Sequence, residues 1–256
     1  MTSMALAIPH TPWVPEREAS MSRLREQLRP CQSVFRYREF AHKAPNRVWS
    51  KELWDWAAAS GASHLLQLQD DVQVCDYFWP HLANMLMCSQ TKVIGLESVH
   101  HKAGVVLAGG SNWYTTADGL IGVGYILPIT VLKAFLAWRD TQLVDGWVCD
   151  EDTLIGVYCL VSGTRIWHPV PTLIDHDTSL ASTYGNDLHT NRRPLLTMVG
   201  QSGRWAPKSW FPPPGTVPHL GRFYSHTPDL ARRLVRGIPP EVYRSMVEDV
   251  WRGEYQ

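Results

Sequence analysis

Three short acidic runs have the residue types and spacing to do chemistry: Asp70-Asp71 behind the apolar run Leu65 to Leu68, Asp150-Glu151-Asp152 ahead of Leu154 to Leu160, and Asp175-His176-Asp177 behind Leu173-Ile174. A strand's end leaves the sheet, so carboxylates there project into the crevice at the carboxyl edge, where open α/β sheets take ligands. Adjacent carboxylates repel, and both stay ionised most easily when a divalent cation or several hydrogen-bond donors offset the charge. Hard oxygen ligands suit magnesium or manganese held together with a substrate's phosphates. Taken alone, Asp70-Asp71 is equally a turn element. The run at 150 stands where a helix dipole stabilises acids, so capping and a general base are both open. His176 can complete a metal site begun by Asp71 or satisfy a loop carbonyl. Three such runs, each after a strand or at a helix start, point to one shared crevice.

The elements that must position them alternate along the chain. Ala5 to Ile8 reads as a buried strand closed by Pro9, Pro15 to Leu28 as a helix, and Val34 to Phe40 as a second strand. Ser50 is expected to cap a helix that stops at Gly61, and Leu65 to Leu68 is the third strand. Cys75 to Met87 has helical spacing, Val93 to Leu96 and Val105 to Leu107 read as strands, and a helix is expected behind Pro128. Glu151 to Val161 is a helix, with Arg165 to Trp167 and Leu173 to Ile174 as late strands.

The chain has 256 residues, 45% of them apolar, enough for one large core with appendages. Its formal net charge is zero, so any polyanionic partner must meet a local patch. Five cysteines without a CxxC spacing point to buried thiols in a reducing compartment, and the start lacks the basic region of a signal peptide, so a cytoplasmic location is expected. The apolar stretch Leu120 to Leu132 is interrupted by Gly122, Gly124 and Pro128 and is shorter than the roughly 20 residues a membrane span needs. No membrane span is expected.

Beyond about residue 185 the texture changes. Tyr184 to Arg222 is rich in Gly, Pro, Asn and Ser and reads as an extended arm, followed by short helices from Thr227 and from Pro239-Pro240. No acidic residue lies between Asp187 and Asp229, whereas Arg192, Arg193, Arg204, Lys208 and Arg222 alternate with Trp205, Trp210 and Phe211. Such a segment can grip phosphates and stack rings, or wrap the body with solvated charges.

These residues together resemble the GT-A-fold nucleotide-sugar glycosyltransferases, in particular family 2-like enzymes and the small transferases of bacteriophages and actinobacteria. Gln69-Asp70-Asp71-Val72 resembles their DxD-type motif, Glu151-Asp152-Thr153-Leu154 their ED motif, and Pro171 to His176 the proline-led strand that brings a late histidine to the metal. Ala7 to Trp13, with Glu16-Arg17, resembles the first strand and loop that hold the nucleotide. The resemblance spans roughly Ala5 to Asp177.

The resemblance implies an α/β fold of GT-A, Rossmann-like form, a mixed sheet flanked by helices, with residues 1–184 as the catalytic domain; residues 185–256, which lie beyond the resemblance, read from their texture as a Pro-rich arm and C-terminal helical extension packed on it. It implies Mn2+ or Mg2+ on Asp71 and His176, and a nucleotide-diphosphate sugar held by Pro9, His10, Thr11, Arg17 and Asp70. Asp152 is the expected base of an inverting transfer, with Asp150 and Glu151 as alternatives. Arg192, Arg193, Arg204 or Lys208 closes on the diphosphate or holds the acceptor, Arg204 being assigned to the donor. The phage relatives admit a hydroxymethylated base in DNA as acceptor, which would have to be flipped to be reached. Two other classes fit the same residues: a metal-dependent nucleotidyltransferase or phosphohydrolase, and a noncatalytic nucleic-acid-binding or virion protein.

Overall fold

A strand that is apolar on both faces belongs inside a sheet, and Met4 to Ile8 are all buried in the first strand. A computed structural model describes residues 3–28, 34–41, 46–97, 103–144, 150–177, 179–180, 196–200, 210, 217–222 and 227–248. The elements run β1 (Met4–His10), α1 (Pro15–Gln27), β2 (Val34–Ala41), α2 (Asn46–Ala59), β3 (His64–Leu68), β4 (Val72–Val74), α3 (Phe78–Ser89), β5 (Val93–Gly95) and α4 (Ala103–Ala108). They continue with β6 (Trp113–Thr116), β7 (Gly124–Pro128), α5 (Ile129–Gln142), α6 (Glu151–Ser162), β8 (Ile166–Pro169), β9 (Ile174–His176), α7 (Thr227–Leu234) and α8 (Pro240–Glu248).

Seven strands form one mixed sheet in the order β2-β1-β3-β7-β5-β8-β6, and β4 pairs with β9 in a separate ribbon. β1 is parallel to β2 and β3, β5 is parallel to β8, and β7 runs antiparallel between β3 and β5. The carboxyl ends of β1, β3, β5 and β8 therefore share one edge, where β7 begins. The expected α/β class, with a mixed sheet flanked by helices, is the observed one.

Period-two alternation sends Ala5, Ala7, Leu65 and Leu127 to one face and Leu6, Ile8, Leu66 and Ile126 to the other. The first face packs against α2, α5, α6, α7 and α8, and the second against α1, α3 and the β4–β9 ribbon. Trp54 and Phe135 meet edge to face at 4.9 Å in the first core, both fully buried. The expected domain boundary near 184 lies outside the described residues. The described parts of the arm run against the body: the Thr115 N–H donates to the Pro218 carbonyl and the Leu220 N–H to the Thr115 carbonyl, both at 2.8 Å, beside β6. Trp210 is buried and its carbonyl accepts from the Trp113 indole at 2.6 Å.

Several local expectations are corrected. Val105 to Leu107 lie in helix α4, not in a strand: Ala103 and Val106 are buried three residues apart while Val105 is exposed, a helical spacing that a three-residue apolar run does not reveal. Ser50 lies inside α2, which starts at Asn46, just after Pro45, both of them start signals. α3 begins at Phe78 and not Cys75, because the Cys75 N–H is committed to the Leu173 carbonyl at 2.9 Å and Tyr77 has φ 57°. β4 and β6, of three and four residues, gave no periodic signal of their own.

Candidate active site

α1 starts on Pro15, whose ring suits a first helical position, and its buried stripe of Arg17, Ser20, Met21 and Leu24 lies on the sheet. Arg17 thus carries a guanidinium to the carboxyl ends of β1 and β3. Its Nη1 stands 2.5 Å from Asp70 Oδ1 and its Nη2 2.8 Å from Asp71 Oδ2, bridging two carboxylates that are each 2% exposed. The other Asp70 oxygen accepts from both the backbone N–H and the hydroxyl of Thr11 at 2.8 Å. Asp70 is fully committed to joining the β1 loop, α1 and β3.

Asp71 is not. Its Oδ2 also accepts from His176 Nε2 at 2.9 Å, and its Oδ1 is buried with no hydrogen-bond partner. Burial alone raises a carboxyl pKa, but the hydrogen bond and charge of His176 and the nearby Arg17 outweigh it and hold Asp71 below the ordinary range. Burial works against protonated His176 as well, and the bond to Asp71 overcomes it, so the imidazole titrates above its ordinary value.

Glu97, two residues past β5, was not singled out in the sequence. It is buried, its Oε1 has no hydrogen-bond partner, and it feels the charges of His176, Asp175 and Asp71. Desolvation pushes its carboxyl up to about 8. The signal that could have found it is the one that found Asp70, an acid directly behind an apolar run, here Val93 to Leu96.

The third acidic run reaches the same edge from the other core. Asp150 is exposed ahead of α6 and makes no side-chain cap, while Glu151 is buried. Asp152 is half-buried; its Oδ2 accepts from the Gly122 N–H at 3.0 Å and its Oδ1 from the Thr153 N–H at 2.7 Å. Burial raises its pKa and the Asp150 charge adds to this, against the lowering by those two backbone donors. A Cβ at Gly122 would come within 3.2 Å of Asp152 Oδ2, so this approach favours glycine. Val123, the next residue, accepts from the Gln69 N–H at 2.9 Å, and Gln69 precedes Asp70. Two backbone links therefore tie Asp152 to the strand end that bears the acid pair. Beneath them Trp54 Nε1 donates to the Tyr125 hydroxyl at 3.1 Å and that hydroxyl donates to Gln67 Oε1.

The remaining sequence candidates divide. Thr11 joins the cluster, as above. His10 is buried against α1, its Nε2 2.9 Å from Glu18 Oε2, and Pro9 sits within β1 opposite Phe40. Arg204, Arg192, Arg193 and Lys208 lie outside the described residues, as do His100 and His101. His64 is satisfied by the Gln90 carbonyl at 2.8 Å, and His81 accepts from Trp210 Nε1 at 3.3 Å.

Among the described residues no set of three or more His, Cys, Asp or Glu is arranged to hold a metal ion. Magnesium bound with phosphates commonly takes only one or two protein ligands, and Asp71 with its open oxygen, beside His176, fits that smaller set. No helix among the described residues is long and apolar enough to cross a membrane.

Fold and cluster together define an α/β protein whose parallel strands end in a cluster of acidic and basic side chains. No family model matches the chain, and no curated protein does. A solved structure of a Drosophila β1,4-galactosyltransferase 7 mutant, in complex with manganese, UDP-Gal and xylobiose, is similar at 11% identity over 82% of this chain and 81% of that one, with a TM-score of 0.41.

Proposed function

We propose that this protein is a glycosyltransferase that moves a sugar from a nucleotide diphosphate to an acceptor hydroxyl. The observation that supports it best is a split between two carboxylates at one sheet edge: cations hold the Asp71 pKa down, and burial lifts that of Asp152. Environments that drive like groups apart assign them different roles in catalysis. Asp71 is the charged anchor and Asp152 the base, with a pKa moved toward working pH.

In this reading the acceptor oxygen attacks the anomeric carbon while Asp152 takes its proton, and the bond from that carbon to the diphosphate breaks with its electrons leaving on the phosphate oxygen. Attack opposite the leaving group inverts the configuration. A divalent cation on Asp71 and His176 would supply Lewis-acid stabilisation of the departing diphosphate. Arg17 and Thr11 hold Asp70, and with it the β1 loop, against the donor side of the crevice.

The test is nucleoside diphosphate release from a panel of UDP-, GDP-, ADP- and CDP-sugars with manganese. Each is run with and without acceptors that include saccharides, lipids and DNA carrying hydroxymethylated bases. Release stimulated by one acceptor is expected. Release of a sugar 1-phosphate, with the nucleoside monophosphate freed or transferred, or hydrolysis indifferent to every acceptor, favours a nucleotidyltransferase or phosphohydrolase instead.

A further inference from the structure

Gly122, Val123 and Gly124 lie between the two acidic regions and bond to both. The Gly122 N–H donates to Asp152 Oδ2 at 3.0 Å, the Val123 carbonyl accepts from the Gln69 N–H at 2.9 Å, and the Gly124 carbonyl accepts from the Leu96 N–H at 3.0 Å. Three successive residues thus join α6, through Asp152, to the ends of β3 and β5. β7 begins at Gly124, directly opposite Leu68 in the register.

Glycine serves a chain in two ways, by taking a positive φ or by leaving room for a neighbour. Gly122 and Gly124 are not among the glycines of positive φ, so φ bars no side chain at either, and what they supply is room. At Gly122 a Cβ would stand 3.2 Å from Asp152 Oδ2 and 3.4 Å from its Cβ and Cγ. At Gly124 it would overlap Ile174 Cδ1 and come within 3.0 Å of Leu68 Cδ2. Ile174 precedes His176 by two residues on β9, Leu68 precedes Asp70 by two at the end of β3, and both are fully buried. One bare position therefore receives the Asp152 carboxylate, and the other receives the strands that lead to Asp71 and His176. The α6 side belongs to the first core and Ile174 with Leu68 to the second.

We propose that Gly122 and Gly124 are positioning residues: by carrying no side chain they let α6 and β9 close on the start of β7 from its two faces, and so set the span between Asp152 and the Asp71–His176 pair. The packing needs no substrate, and only its effect on turnover rests on the sugar-transfer reading. A methyl added in a filled interior is passed on as a shift of its neighbours. A misplacement on the order of 1 Å can cost about 100-fold in rate.

Three backbone N–H groups report the two sides in 1H–15N correlation spectra of the full chain without ligand. Those of Gly122 and Thr153 donate to Asp152, at 3.0 and 2.7 Å, and that of Asp177 donates to the Asp71 carbonyl at 2.8 Å. Gly122→Ala should shift the Thr153 signal more than that of Asp177, and Gly124→Ala should do the reverse. Ile174→Val removes the overlapping Cδ1, so in the Gly124→Ala background it should return the Asp177 signal toward its wild-type place. Gly104→Ala, where a Cβ would meet nothing within 4 Å, should move neither. Should Gly122→Ala not fold, Asp152→Ala takes its place and should move the Gly122 signal, whose N–H loses its acceptor. Should Gly124→Ala not fold, recovery of a native spectrum in the double variant carries the rescue. With an active donor in hand, Gly122→Ala should lose about 10- to 100-fold in kcat with KM changed less, and Gly124→Ala should lose kcat that Ile174→Val restores. Unmoved Thr153 and Asp177 signals in the two alanine variants overturn the proposal, and so does full kcat in both, or a Gly124→Ala defect that Ile174→Val does not relieve. If the signals behave as expected but no sugar nucleotide binds the wild type, the spacing role stands and the transfer reading falls.

Discussion

Asp70-Asp71 and Asp150-Glu151-Asp152 are similar words in the sequence that fold into opposite electrostatics. The first pair is clamped by a buried guanidinium and a half-buried imidazole, and Asp71 is held in its charged form. In the second run Asp152 accepts from the Gly122 and Thr153 N–H groups, and there burial makes the charged form harder to keep. A cation-paired carboxylate suits binding of charge, while a carboxylate eased toward neutrality suits moving a proton.

The largest effect that can break this comparison is on turnover. Asp152→Asn and Asp71→Asn should each lower the rate about 100-fold or more, one by removing the base and the other by removing charge stabilisation. Steady-state assays with the donor identified above should show the KM rise in Asp71→Asn alone. Equal behaviour of the two variants would erase the distinction.

Stability comes next. Arg17→Ala strands two buried carboxylates, and breaking a buried ion pair from one side costs about 3–5 kcal/mol. Urea denaturation measures it. Asp150→Asn, at an exposed position without a side-chain cap, should stay within about 0.5 kcal/mol and leave the rate nearly unchanged.

A smaller effect lies in pH dependence. His176 titrates higher folded than at its ordinary 6.5, so the folded state binds the extra proton, and the resulting stability is complete below 6.5 and fades as pH rises through the folded value. Glu97 titrates at 4.5 ordinarily and at about 8 when folded, so between those values the folded state again holds the extra proton and stability falls as pH rises. Asp71 has the opposite sign: its contribution is present above 3.8 and is lost as pH falls through its lowered folded value. Urea midpoints across neutral pH should fall with pH in the wild type. H176Q should flatten the decline above 6.5, and E97Q the part between 4.5 and about 8.

The sequence was most legible where pattern and chemistry coincide. Continuous apolar runs made β1 and β3 evident, and a proline or an acid at the start made α1, α5 and α6 evident, because burial on a central strand and helix capping act locally. β4, β6 and α4 were opaque, since three to six residues span fewer than two helical turns and do not separate one periodicity from the other. At the site, acids behind strands marked Asp71 and His176, which the structure joins at 2.9 Å across 105 positions. What neutralises the pair was hidden: Arg17 lies 53 residues from Asp70, and nothing local says that a helix stripe would aim it there. Glu97 carried the same local mark as Asp70, but its burial, which pushes its carboxyl pKa up, is a product of the whole fold.

Donor binding separates the two acidic regions most directly. Thermal melts of wild type, D71N and D152N with each sugar nucleotide and manganese read it, because a ligand bound to the folded state raises Tm. One donor should raise the Tm of wild type and of D152N and leave D71N unmoved. A panel in which no donor shifts the wild type, or in which D71N responds as fully as D152N, contradicts the assignment.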